Sequence, residues 1–515
     1  MPHASGHFGL GCREPAAKGE PRSDRPWAVL HLASERPILP PIATSETRLA
    51  FIFYDTETTG TAPAFDQILQ FAAIQTDEQL NELATIDTRC RILPWVVPSP
   101  KALLVTGVRP AALLTAARSH LEMITLIRQW LLERSPSVLI GHNSIKFDET
   151  MLRQAFYQTL HPVYLTNTNG NRRGDTMRLA QATAIFSPGS ITVPISAKGR
   201  PTFKLGDLAR ANGIPFTEEE AHDALADVRA TVQLARLLRD RAPAIWEQML
   251  INASKHGAIE FMKSKTAFCL GEVSFGNLSS SLVTAVALNA GNSGQMAVFD
   301  LAYRPDAYLD LSVEALVEVL NGREPAIRVV AANNQPIIVD TRIGHALIEA
   351  STFGRETLAE HALQIRAADA FRQRVAQALT LRFEEKAPSA YAERRIYDGF
   401  PHRADERLMQ QFHQADWTER HGLCGRFDDL RYAEFGLKLL YAERPDALPP
   451  DVRHDVERHI RERLLAEGDD VPWLTLAGAL AAIAALRADG EDAGLLDEIE
   501  QFVQQMRRHV LATAA

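Results

Sequence analysis

Leu49-Ala50-Phe51-Ile52-Phe53-Tyr54-Asp55-Thr56-Glu57-Thr58-Thr59-Gly60 is the stretch on which the fold turns. Residues 49–54 are a continuous apolar run, the pattern of a buried strand. The polar residues and Gly60 that follow predict a turn directly after it. Asp55 and Glu57 stand two apart, so period two puts both carboxylates on one face at the strand's end.

Residues 68–74 and 84–93 read as two further strands of a meander. Residues 119–134 have helical periodicity. Residues 137–141 form another buried strand, entering a helix that begins near Lys146. A helix near 204–212 precedes a long one from about 223 to 250. Three strands, a helix, a strand and more helices predict an α/β domain over residues 48–255. Short strand candidates then follow at 267–275, 282–288, 296–301, 327–332 and 337–340, with one helix at 313–320. This predicts a small, mostly β barrel over 256–350. Residues 351–515 read as helical. Residues 1–47, rich in Pro, Gly, Arg and Glu, read as a disordered extension or as translation from an over-extended start.

The length of 515 residues suits about three domains. Hydrophobic residues at 46% and charged residues at 23% exclude a wholly disordered chain. The net charge of −9 excludes a generally basic nucleic-acid coat, though not a local basic groove. Cys12, Cys90, Cys269 and Cys424 form no CxxC pair and read as free thiols of a reducing, cytoplasmic setting. Metal ligands are therefore to be sought among carboxylates. Residues 471–486 are apolar but broken by Pro472, and too short to span a bilayer. No signal peptide is expected.

Two more carboxylates fall at element starts. Asp148 closes Gly141-His142-Asn143-Ser144-Ile145-Lys146-Phe147-Asp148, in the first turn of a helix after a strand. Asp227 lies early in the long helix, five residues after His222. Each alone is most often a solvated or capping residue. Together they carry a cost, because one like-charge pair about 4 Å apart costs roughly 4 kcal/mol at an effective dielectric near 20. Raised pKa values or bound cations relieve it. Oxygen ligands suit Mg²⁺ or Mn²⁺, and two such ions can clamp a phosphodiester undergoing in-line displacement. A histidine titrating near neutrality can take the proton of the attacking water.

These residues resemble the DEDD exonuclease superfamily, in the subclass whose fifth residue is histidine (DEDDh). Gln70-Phe71-Ala72-Ala73-Ile74, Leu104-Val105-Thr106-Gly107-Val108, Asn143 to Asp148 with Phe156-Tyr157, and Ala221 to Val228 extend the likeness to the bacterial exonuclease I family. Tyr397-Asp398-Gly399-Phe400 and the segment 439–444 resemble that family's C-terminal helical domain. The resemblance implies a ribonuclease H-like domain, a mixed sheet flanked by helices. An SH3-like β-barrel and a helical domain should follow. It implies Mg²⁺-dependent 3′→5′ hydrolysis of single-stranded DNA to 5′-mononucleotides, in repair and recombination. Asp55, Glu57, Asp148 and Asp227 would be metal ligands for two Mg²⁺ ions, which Mn²⁺ can replace, and His222 the general base. Thr58 and Thr106 would hold the terminal nucleotide, with Leu104 and Phe147 packing on its bases. It also implies a monomer that meets single-strand-binding protein through that protein's C-terminal tail, with no membrane partner.

Between residues 146 and 210 nine basic residues stand against four acidic ones, a local excess of +5. Arg172 and Arg173, in the polar stretch 167–174, are the leading candidates to line a groove that tracks a single strand. The motifs leave open an RNA exonuclease, a proofreading exonuclease of the same superfamily, and a catalytically inactive single-strand-binding scaffold.

Overall fold

The computed structural model describes residues 50–217, 223–274, 276–322, 326–382, 387–467 and 471–512. The expected extension 1–47 lies outside them, as does His222.

The first sheet has five strands: β1 (Phe51–Thr58), β2 (Ile68–Thr76), β3 (Glu82–Arg89), β4 (Val138–Gly141) and β5 (Arg172–Asp175). Their order is β3-β2-β1-β4-β5. β1 pairs antiparallel with β2 and parallel with β4, so the sheet is mixed, as expected. β1 runs four residues further than residues 49–54 suggest, so Asp55 and Glu57 belong to the strand itself. β5 overlaps the polar stretch 167–174, where no strand was expected. It pairs in parallel with β4 instead.

Helices of this region are α1 (Pro100–Thr106), α2 (Pro110–Thr115), α3 (His120–Glu133), α4 (Asp148–Gln158), α5 (Thr176–Phe186), α6 (Leu205–Ala211), α7 (Ala224–Arg241), α8 (Pro243–Asn252) and α9 (Lys255–Ser264). A capping box made by Ser119 and Glu122 starts α3. The long helix expected over 223–250 is two. Pro243 disfavours helical backbone at Ala242, and α8 begins afresh with that proline at its first position.

Alternation along β1 buries both faces of the sheet. Phe51 and Phe53, with Ala72, Ile74 and Ile140, pack against α5 and α7 through Leu179, Val228 and Leu234. Ile52 and Tyr54, with Phe71, Ala73 and Leu139, pack against α3 and α4 through Ile124, Ile127, Leu152 and Phe156. Nearly continuous apolar sequence is what such a two-sided strand requires.

The second sheet contains β6 (Phe268–Ser274), β7 (Asn277–Leu288), β8 (Gln295–Asp300), β9 (Ile327–Ala331) and β10 (Ile338–Val339), ordered β10-β6-β7-β8-β9. All its pairs are antiparallel. Among the described residues β9 and β10 do not pair with each other, and a single helical turn, Ala332–Asn334, lies between them. The connection between them is pinned to the first region instead. Gln335 accepts from the Asp175 backbone N–H (2.8 Å) and donates to the Met249 carbonyl (3.0 Å). Helix α10 (Val313–Asn321) and the helices Arg355–Ala367 and Asp369–Leu381 share a core with this sheet.

From Arg403 onward the chain is helical, ending with Ala493–Ala512. These helices pack on the first region in two clusters. One contains Leu121, Tyr157 and Leu160, and the other contains Leu93, Trp95 and Leu103. Among the described residues no helix is long and apolar enough to cross a membrane.

Candidate active site

Parallel pairing of β1 with β4 covers only Phe51–Phe53, because β4 ends at Gly141. The last residues of β1 therefore have an unpaired edge on that side. A turn brings α4 to it. Gly141 permits that turn, since a Cβ there would sit 2.4 Å from the Ser144 Cβ and 2.9 Å from the Tyr54 carbonyl oxygen. Asp175 steadies the same turn by accepting from the Asn143 N–H (2.9 Å).

Period two then sorts the side chains at the end of β1. Asp55 and Glu57 continue the Phe51–Phe53 face, toward α7. Thr56 continues the Ile52–Tyr54 face, toward α4. Asp227 is in the first turn of α7, and Asp148 is the first residue of α4. One oxygen from each of Asp55, Glu57 and Asp227 lies within 4.8 Å of the others. Asp148 adjoins this trio from the other face. Its Oδ1 accepts the Thr56 backbone N–H (3.0 Å) and the Thr56 hydroxyl (2.6 Å). The backbone donor that β4 leaves unpaired is thus satisfied by a carboxylate.

Burial and mutual repulsion dominate the electrostatics. Asp55 is held well above the usual carboxylate range by burial, then by Asp148, Glu57, Asp227 and Asp223. Glu57, only 6% exposed, is pushed up to about 9 by burial and by Asp227, Asp148 and Asp223, against a small opposing pull from Arg89. Burial raises Asp148 to about 7, against the lowering effect of the Thr56 hydrogen bonds. Such carboxylates either keep protons or take a cation. The donor set is all oxygen and clustered, which fits a hard divalent ion.

Three residues that sequence reading passed over hold this centre. Thr56 orients Asp148. Gln70, opposite Glu57 in the β1–β2 register, donates to Asp223 Oδ1 (3.1 Å). Arg89 on β3 pairs with the same oxygen (2.6 Å). Asp223 also caps α7, accepting from the Ala226 N–H. The residue that follows His222 is thereby anchored to β2 and β3. The position of Thr56 between two acidic residues was the available signal for it, and the hairpin register was the signal for Gln70.

The expected substrate contacts are dispersed. Thr58 is buried and its hydroxyl donates to the Gly60 carbonyl (2.8 Å). Leu104 and Thr106 lie half-buried on α1, which is tied to the end of β1 by the Ser99 N–H donating to the Thr59 carbonyl (2.7 Å). Phe147 is half-buried immediately before Asp148. Arg172 is exposed at the start of β5. Arg173 departs from expectation. It is 8% exposed, paired with the buried Glu149 (3.1 Å), and donates to the Asn333 carbonyl (2.8 Å). Strand alternation turns it into the junction with the second sheet, so it does not line a groove.

The exonuclease family model matches residues 52–235, the span that holds all five candidate catalytic residues. The Exonuclease I C-terminal domain model matches residues 391–506. Over these two spans the chain is similar to exonuclease I. It is 28% identical to exodeoxyribonuclease I of Escherichia coli over 377 residues, covering 70% of this chain and 78% of that protein. The fold of exonuclease I from Methylocaldum szegediense superposes with a TM-score of 0.76 at 27% identity, over 90% of this chain and 99% of that one. Escherichia coli exonuclease I in complex with a dA16 oligonucleotide gives a TM-score of 0.75 at 24% identity, over 90% and 100% of the two chains.

Proposed function

We propose that this protein is an exodeoxyribonuclease that shortens single-stranded DNA from the 3′ end, releasing 5′-mononucleotides. The observation that carries the reading is the convergence of Asp55, Glu57 and Asp227 within 4.8 Å at the end of β1, with Asp148 fastened alongside by Thr56. Similarity to exodeoxyribonuclease I and to the Exonuclease I C-terminal domain supports DNA as the substrate.

Asp55, Glu57 and Asp227 would hold one divalent ion, with Asp55 and Asp148 turned to a second. Bound there, Mg²⁺, or Mn²⁺ in its place, would supply a more acidic water and charge stabilisation for the leaving 3′ oxygen. The protein's own groups do the rest. His222 takes the proton of the attacking water. Asp223, tied to Gln70 and Arg89, fixes the helix start beside it. Thr58, Leu104, Thr106 and Phe147 flank the 3′ terminus, and Arg172 contacts the strand's phosphates without reading sequence. By family likeness the protein acts as a monomer in repair and recombination, on strands coated by single-strand-binding protein.

Digestion of 5′-labelled single-stranded DNA, duplex DNA and single-stranded RNA, with Mg²⁺ or EDTA, tests this. Stepwise Mg²⁺-dependent shortening confined to single-stranded DNA is expected. Preferential shortening of RNA would move the protein to the ribonuclease side of the superfamily. Binding without cleavage would leave a scaffold.

A further inference from the structure

Three of the four carboxylates of the centre, Asp55, Glu57 and Asp148, sit on two elements, β1 and α4. A short turn far along the chain touches the supports of both. It comprises Tyr391 and the single helical turn Ala392–Arg395.

On one side the turn grips α4, whose first residue is Asp148. The Tyr157 hydroxyl donates to the Ala392 carbonyl (3.0 Å), and Gln154 Nε2 donates to the Glu393 carbonyl (3.1 Å). On the other side it grips the loop that leaves β1. The Phe65 ring, 7% exposed, meets Tyr391 edge-on with centroids 6.2 Å apart and lies 5.6 Å from Trp473. The Arg394 and Arg463 guanidinium groups lie over that ring at 5.3 and 5.4 Å. Cation–π and edge contacts of this kind fix a ring's position as well as bury it.

The loop transmits that position to β1. Thr59, one residue past the strand, donates its N–H to the Gln67 carbonyl (3.0 Å) and its hydroxyl to Asp66 (2.8 Å). The turn is itself tightly held. The Glu393 carboxylate, 3% exposed, accepts from Lys438 (3.0 Å) and Arg463 (2.8 Å), which belong to the helices Leu430–Glu443 and Pro450–Leu465. Trp473 Nε1 donates to the Arg463 carbonyl (2.9 Å), closing the cage.

We propose that Phe65, Tyr391 and Glu393 form a positioning brace, through which the C-terminal helices set the spacing between the β1 carboxylates and Asp148. The proposal rests on the metal-centre reading above. An interface that only adds stability would couple to unfolding and leave the assembled centre unchanged. A brace changes how well the carboxylates hold their ions, because groups behind metal ligands commonly govern affinity or turnover by 10–100-fold.

The test uses the full-length protein, with Phe65→Ala to release the loop and Gln154→Leu to release α4. Phe412→Leu, in the core of the C-terminal helices, serves as a control that lowers stability only. Mn²⁺ binding is followed by electron paramagnetic resonance without DNA. Single-strand hydrolysis is measured against Mg²⁺ and DNA concentration, and thermal unfolding is recorded for each protein. The brace predicts Mn²⁺ binding weakened about 10-fold or more and kcat reduced about 10–100-fold in both variants. KM for DNA should stay within about twofold. The control should lose unfolding temperature alone. Variants that bind Mn²⁺ as the unaltered protein does would overturn the brace, as would a control that weakens Mn²⁺ equally. An unaltered protein that binds no Mn²⁺ would overturn the metal-centre reading itself.

Discussion

Oδ1 of Asp148 accepts two hydrogen bonds from one residue, Thr56, through its backbone N–H at 3.0 Å and its hydroxyl at 2.6 Å. Thr56 stands between Asp55 and Glu57, so the carboxylate from α4 is located against the two from β1 by a single residue. Thr56→Val keeps the shape and removes the hydroxyl. Turnover on single-stranded DNA is expected to fall about 10–100-fold, the range for lost support of a metal ligand. Thr56→Ser should recover most of it. Single-turnover hydrolysis at saturating Mg²⁺ measures both.

Asp227→Asn removes one charge from the trio of carboxylates. Hydrolysis is expected to drop by about 10²–10³-fold or more. Without metal, the variant should bind single-stranded DNA as the unaltered protein does. At pH 8 its metal-free form should unfold at the same or a higher temperature, because repulsion is relieved. Calorimetry and fluorescence binding in EDTA give these readings.

The raised carboxyl groups set a pH dependence. Asp148, near 7, and Glu57, near 9, keep protons in the folded metal-free protein that the unfolded chain releases above about pH 4. The folded state then binds more protons, so stability falls as pH rises from about 4 toward 9. Saturating Mg²⁺ should flatten that fall and release protons on binding. Thermal unfolding from pH 5 to 9, with and without Mg²⁺, checks the sign. A metal-free protein that grows more stable toward pH 9 would contradict it.

Arg172 and Arg173 are neighbours with opposite surroundings. Arg172→Gln should weaken single-strand binding and reduce the slope of log affinity against log salt by about 0.7. Arg173→Met removes one partner of the buried Glu149 and should cost about 3 kcal/mol or less of stability, since Arg153 still pairs with Glu149 at 2.8 Å. Its salt slope should be unchanged. Denaturant unfolding and binding titrations over a salt series separate the two.

Sequence reading found Asp55, Glu57, Asp148 and Asp227 because each sits at the end or start of an element, where local pattern is informative. The strands of the second sheet were legible for the same reason, from runs bounded by turn residues such as Asn289 to Gly294. β5 was missed because Arg172-Arg173-Gly174-Asp175 is short and charged. Its strand character comes from pairing with β4, which is a tertiary fact. The inward aim of Arg173 follows from that pairing and was equally hidden. The break at Pro243 was missed, although the residue before a proline resists helical backbone and so offered a signal. The hold of Gln335 on Asp175 and Met249, which ties the second sheet to the first region, is recorded by no local pattern.

The Gln154–Glu393 hydrogen bond joins residues 239 positions apart. At about 5–20 residues per second, roughly 10–50 s of synthesis separate the two partners. The first sheet can emerge and fold well before residue 393 leaves the ribosome. A nascent chain therefore carries the four carboxylates without their distant support. On the brace proposal, full activity waits until the residues around Glu393, as far as Trp473, have been made.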